Sequence, residues 1–344
     1  MFSKQETLDL LKKDKSSWLT AHCSVPFDTV SIDYNGDIYS CSCSDWLPKS
    51  IGNILDFSDK NSFLETLDNN PVKNSIIDRS HRYCLGTKCP LLQAEYKNAN
   101  SFFVPKELLE DGHIKFLHLN IDNSCNLSCP TCRSGIILNK NNKPHQERLI
   151  RILDKIDDYF FNPQTIKTIH CVGNGEFLSS KLLVDWLLEK SKLDIDFILQ
   201  TNGTLIYKNN NKISNILKKT REIYVSIDAS NEELYSQVRI NGSWKDLIKS
   251  LNWLQFFAKY NNIEINYNFT VSNNNYHDML NFITFAERYK IHKVYFSKVN
   301  RWPHMSDDQW NNLNIFKHSH PNHIKLLEIL KHSEFNLPFI QKNF

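Results

Sequence analysis

The chain has 344 residues, of which 41% are hydrophobic, and a formal net charge of +3. That length supports a large core and two domains, and a small, dispersed charge with no dense Lys/Arg block gives no footprint for nucleic acid. No apolar run approaches the roughly 20 residues that cross a bilayer, and the polar opening MFSKQETLDLLKKDKSS lacks the apolar segment of a signal peptide. A cytoplasmic protein without membrane attachment is therefore expected, and its nine cysteines point to metal rather than to disulfides.

In chain order, a first block over about 17–95 holds Cys23, Cys41, Cys43, Cys84 and Cys89 and has few long helical patterns. In TVSIDYNGDIYSCSC, apolar and polar residues alternate on both sides of Asn35-Gly36, a strong short-range hairpin signal. Residues 97–112 read as a connector.

The second block alternates strand-like and helical runs. The strands are expected at 116–122, 168–173, 196–202, 222–228, 263–271 and 292–299. Between them, Leu149, Ile152, Leu153 and Ile156 share a helical face, as do Leu182, Leu183, Trp186 and Leu187, and then Leu247, Leu251 and Leu254. Asparagine runs at 209–211 and 273–275 read as loops. Strand–helix repetition at this interval predicts a parallel βα array, in which ligands sit at the C-terminal strand ends. Cys171, inside the second strand, reads as a core cysteine. His318, His320 and His323, in the SHPNH context, read as the N-terminus of the last helix rather than as metal ligands.

The chemistry concentrates after the first strand of this array, in LHLNIDNSCNLSCPTCR. Three thiolates spaced Cys125-x3-Cys129-x2-Cys132 suit three irons of a [4Fe–4S] cluster, leaving the fourth open to a small molecule. A zinc loop and three unrelated core cysteines are the alternatives; zinc sites usually present four ligands in paired arms. The second strand runs into Gly173-Asn174-Gly175-Glu176, where glycines permit close backbone approach and the carboxylate suits an ammonium group. Thr201-Asn202-Gly203 follows the third strand, Ser226 and Asp228 close the fourth, and Val271-Ser272-Asn273 the fifth.

With these motifs in this order, the chain resembles the radical S-adenosylmethionine (SAM) superfamily. The resemblance implies a partial (βα)6 barrel over 116–300, preceded by a connector at 97–115 and followed by a helical extension at 301–344. It implies that Cys125, Cys129 and Cys132 bind the cluster and that SAM chelates the open iron. It also implies that Gly175 and Glu176 meet the SAM ammonium and that Thr201, Asn202, Ser226 and Asp228 line the cofactor. Arg239 would pair with the SAM carboxylate, as the matching arginine does in the peptide-modifying branch, and Val271 would lie near the adenine. Thr131 stands where many members carry an aromatic or large apolar residue.

The order of the N-terminal cysteines resembles a SPASM/twitch domain, here over 1–96 and preceding the core rather than following it. It implies an auxiliary [4Fe–4S] cluster on Cys23, Cys41, Cys84 and Cys89, with Cys43 as a spare; a structural zinc site on the same thiolates is the rival. The expected function is reductive cleavage of SAM to a 5′-deoxyadenosyl radical, followed by hydrogen abstraction from a peptide or protein. A flavodoxin- or ferredoxin-type protein would donate the electron. A sugar- or nucleotide-modifying enzyme is the alternative within the class, and a non-catalytic iron–sulfur carrier or sensor the alternative outside it.

Overall fold

In the computed structural model, residues 22–41, 50–84, 103–104, 114–171 and 175–344 are described. The opening segment 1–17, Cys43, Cys89, Gly173 and Asn174 lie outside them. By contacts the chain falls into two units: 1–121 with 142–170, and 122–141 with 171–344.

In the first unit, β1 (His22–Cys23) pairs antiparallel with β5 (Phe103–Val104), a short strand within the segment read as a connector. The expected hairpin is present: β2 (Thr29–Asp33) and β3 (Asp37–Tyr39) run antiparallel. Gly36 takes φ +91° between them, while the Asp33 carboxylate accepts the Asn35 and Asp37 amides at 2.8 and 2.9 Å. β4 (Gly52–Asn53) extends this ribbon. On its other side β2 pairs in parallel with β6 (Phe116–Asn120), placing Ile32 beside Leu119, and β7 (Thr168–Cys171) lies beside β6. Aromatic packing closes the core: Phe63, on the helix Lys60–Asp68, stacks on Tyr159 at 4.7 Å and meets Phe160 edge-on at 5.4 Å. Both partners belong to the helix Lys143–Phe160, whose Leu149, Ile152, Leu153 and Ile156 are all buried, as their spacing requires.

The second unit is a parallel sheet in the order β8 (Asp196–Thr201), β9 (Thr220–Ser226), β10 (Glu264–Val271), β11 (Lys293–Lys298), β12 (Ile340–Asn343). β12 comes from the tail, so the segment read as a helical extension also supplies a strand. The period of two along each strand separates the faces. Leu199, Val225, Tyr267, Phe269, Val294 and Phe296 are buried on one side. There the helix Met279–Arg288 packs through Phe282, whose ring lies 4.9 Å from Phe269 and 6.2 Å from Phe296. The other side carries Gln200, Tyr224, Ser226, Asn266, Asn268 and Tyr295, aligned by register.

One loop reading is corrected. Asn209, Asn210 and Asn211 lie within the helix Ile206–Lys218. Asparagine is a weak helix former, but Ile206, Ile213, Ile216 and Leu217 are all fully buried, and their packing outweighs that preference. The Asn209 amide also donates back to the Leu205 carbonyl at 2.8 Å. The run 273–275 is a turn, as expected.

Candidate functional site

The cysteine loop, which follows β6 in sequence, closes on itself. Cys125 and Ile137 form an antiparallel bridge through both backbone hydrogen bonds, 2.6 and 3.3 Å. The Asn139 side chain ties to Asn123 Oδ1 at 2.7 Å and to Ser124 Oγ at 3.2 Å. Cys125, Leu127 and Cys129 are buried together, with Cys132 packed against them. All three remain free thiols, and burial raises the pKa of Cys125 and Cys129 above the ordinary thiol value. Iron would therefore displace protons here, as metal binding to thiols requires.

Each sulfur faces an N–H donor. Cys125 Sγ lies 3.5 Å from the Leu127 amide and 4.0 Å from Asn202 Nδ2. Cys129 Sγ lies 3.7 Å from Arg239 Nη1, and Cys132 Sγ 3.7 Å from Arg133 Nη2. Three soft donors sharing one nest, each with a polar hydrogen directed at it, fit an iron–sulfur cluster better than unrelated core cysteines would.

The loop docks on the C-terminal ends of β8 and β9. Asn202, just past β8, donates to Asn126 Oδ1 at 2.9 Å and accepts from the Thr204 amide and hydroxyl at 3.0 and 2.7 Å. Asn126 Nδ2 returns to Thr204 Oγ1 at 3.0 Å, completing a closed polar ring. Past β9, the Ser128 amide donates to the Ile240 carbonyl and Asn241 Nδ2 to Ser128 Oγ.

Gly175 explains its own identity. A Cβ there would collide with the carbonyl oxygens of Asp122 and Ser124. The close backbone approach anticipated at this glycine is therefore made to the cysteine loop, and the next amide, Glu176, donates to Ser124 O at 2.7 Å. The Glu176 carboxylate is 1% exposed. It accepts from Thr201 Oγ1 at 2.9 Å, the Asn202 amide at 2.6 Å and the Leu178 amide at 3.3 Å. Burial nevertheless pushes its pKa up to about 7. Thr201 Oγ1 lies 2.9 Å from both carboxylate oxygens, so each oxygen has two polar neighbours. Ionised, the group would be a buried negative charge that a cation can offset.

Asp228 and Arg239 form a buried pair, 2.7 Å apart. Asp228 Oδ1 also accepts the Thr270 amide at 2.7 Å. The Asp228 backbone adopts φ +64°, an uncommon region for a residue other than glycine. It is held by Asn275, whose amide donates to the Asp228 and Thr270 carbonyls at 3.1 and 3.0 Å. Arg239, the C-cap of the helix Glu232–Val238, thus divides its guanidinium between Asp228 and Cys129. Its Nε is buried without a hydrogen-bond partner among the described residues, as is the Tyr235 hydroxyl.

Ser226 ends β9, half-buried on the polar face. The Val271 side chain is fully buried, which leaves only its backbone to meet a ligand. Cys171 is buried core, its thiol pushed up to about 12 by burial. His320 and His323 bond to the carbonyls of Asn312 and Ile315, at 3.1 and 2.9 Å, in a structural role. In the first unit Cys23, Cys41 and Cys84 are half-buried. Sequence reasoning passed over Arg133 and Thr204, read Asn126 as filling of the cysteine motif and Asn275 as part of a loop; all four serve as struts between loops.

The family comparison agrees with this geometry: residues 119–286 match the radical SAM superfamily model, so the chain carries a radical SAM domain. Members of this superfamily are enzymes. No curated protein matches the sequence. Among solved structures, Streptococcus suis SuiB is 14% identical over 83% of this chain and 55% of its own, with a TM-score of 0.43. The anSMEcpe structure with bound AdoMet is 16% identical over 66% and 63%, TM-score 0.42. The structure of TYW1 with a lysine-pyruvate adduct bound is 15% identical over 63% and 70%, TM-score 0.37. The chain thus spans less than two thirds of SuiB and of anSMEcpe.

Proposed function

We propose that this protein is a radical SAM enzyme that removes a hydrogen atom from a peptide or protein. The observation that carries the reading is the three-thiol loop of Cys125, Cys129 and Cys132, docked on the C-terminal strand ends beside the buried carboxylate of Glu176. When bound there, a [4Fe–4S] cluster with SAM supplies one low-potential electron and the hydrogen-abstracting carbon radical. The chain's own residues hold and shield these groups. Glu176 would take the SAM ammonium through its charge, and Gly175 lets the turn that carries it close on the cysteine loop. Arg239 Nε is the donor left over for the SAM carboxylate, with Asp228 fixing its orientation. Thr201 and Asn202 hold Glu176 in place, Ser226 lines the polar face, and the Val271 backbone would border the adenine.

The peptide part of the proposal rests on the likeness of the ELYSQVRING segment to the peptide-modifying branch. SuiB has been solved with its precursor peptide SuiA and anSMEcpe with bound peptides. The N-terminal Cys23, Cys41, Cys84 and Cys89 would carry an auxiliary cluster, and a flavodoxin- or ferredoxin-type protein would deliver the electron.

With dithionite and SAM, the anaerobically reconstituted chain should release 5′-deoxyadenosine, slowly without substrate and faster with it, and Cys129→Ala should release none. Cluster-replete, reduced protein that neither binds nor cleaves SAM would refute the enzyme reading. Deuterium carried from a labelled peptide into 5′-deoxyadenosine would establish the substrate class, and label arriving only from a sugar or nucleotide would replace it.

A further inference from the structure

Arg133, directly after the third cysteine, lies outside the family motif. Two of its contacts lie at the cysteine loop: Nη1 donates to the Asn123 carbonyl at 2.9 Å and Nη2 points at Cys132 Sγ from 3.7 Å. Asn123 precedes the first cysteine and is itself held by Asn139. The fork therefore spans the start of the loop and its last ligand. Cys129 has a comparable neighbour in Arg239, which also pairs with the buried carboxylate of Asp228. Among the described residues the N–H donors beside Cys125 Sγ are an amide side chain and a backbone N–H, and the Arg133 charge acts on this thiol as well.

We propose that Arg133 is a positioning residue that raises the reduction potential of the cluster bound by the three cysteines, by directing a positively charged N–H at the Cys132 sulfur. The inference rests on the cluster assignment made above. One electron from a low-potential reductant, such as dithionite or a reduced ferredoxin, gives the reduced cluster one more negative charge than the oxidised cluster. A cation at the ligand sulfur stabilises the more negative state, because net charge and hydrogen bonds to sulfur are what set such potentials. Arginine suits the place because its planar fork makes both contacts at once, while lysine supplies the charge without the fork.

The test is a mediated redox titration of the reconstituted full chain, read by the electron paramagnetic resonance signal of the reduced cluster. The N-terminal cysteines Cys23, Cys41, Cys84 and Cys89 are replaced by alanine so that only one cluster reports. In Arg133→Gln the cluster should form with unchanged iron content. At the potential where the parent is half reduced, its ratio of reduced to oxidised cluster should fall about tenfold, a shift of 59 mV to more negative values. Arg133→Lys should recover most of that loss. A Gln variant with full iron and an unchanged midpoint would overturn the inference while leaving the proposed function intact. If Gln loses iron, the Lys variant decides. A retained cluster near the parent midpoint supports the role of charge; loss of iron there too makes Arg133 a structural tie only. A parent chain that takes up no iron overturns the proposed function and this inference with it.

Discussion

Glu176 shows how a buried charge is held in reserve at the scale of one residue. Three donors from Thr201, Asn202 and Leu178 reach its carboxylate, yet desolvation outweighs them and its pKa rises from the ordinary 4.5 to about 7. Between those two values the native state holds more protons than the unfolded chain, so stability falls as pH rises through that window. The loss attributable to this one group is on the order of 3 kcal/mol. Glu176→Gln, which cannot ionise, should flatten the fall in unfolding free energy between pH 4.5 and 7 in denaturant titrations of the ligand-free protein. The same slope in both proteins would mean that Glu176 is already ionised. A cation arriving beside the carboxylate would expel the remaining proton, so SAM should bind more tightly as pH rises through this range. The motif was legible because glycine beside glutamate at a strand end is a recognisable pattern. The partners of the struts Asn126, Thr204, Arg133 and Asn275 were not, because a polar residue in a loop declares no partner until the chain is folded.

At the scale of elements, periodicity carried most of the information. The six strands expected from 116 to 299 are all present, and the four apolar residues of the helix Lys143–Phe160 are buried as their spacing requires. The reading failed where local composition and packing disagree. Asn209–Asn211 look like a loop but, half-buried at Asn209 and Asn210 and exposed at Asn211, they belong to a helix whose isoleucines are buried. Strand β12, with the sequence IQKN, shows little apolar alternation and exists through its parallel pairing with β11. The contact between the Gly175 turn and the cysteine loop is equally dependent on tertiary structure. Gly175→Ala should force apart the Asp122 and Ser124 carbonyls, which backbone atoms cannot do cheaply. A destabilisation of about 1–3 kcal/mol is expected, with less iron taken up by the core cysteines. Gly135→Ala is the control, since a methyl group there meets nothing within 4 Å. Equal melting temperatures and equal iron in the two variants would show that the close approach is not required.

At the scale of the whole molecule, the radical SAM domain occupies residues 119–286, and the cysteines fall into two sets with different standing. Cys125, Cys129 and Cys132 share one loop, each sulfur beside an N–H donor. The N-terminal cysteines have only their order in the sequence to recommend them as cluster ligands. Among the described residues no helix is long and apolar enough to cross a membrane. If the core set holds the SAM-binding cluster, SAM must perturb that cluster and no other. The direct measurement is the electron paramagnetic resonance spectrum of the anaerobically reconstituted, dithionite-reduced protein before and after addition of SAM, beside a Cys125/Cys129/Cys132→Ala triple variant. SAM is expected to change the wild-type spectrum, while the triple variant keeps about half the iron, the share of an N-terminal cluster, and does not respond to SAM. A wild-type spectrum that SAM leaves unaltered, or a triple variant that still responds, would contradict the assignment.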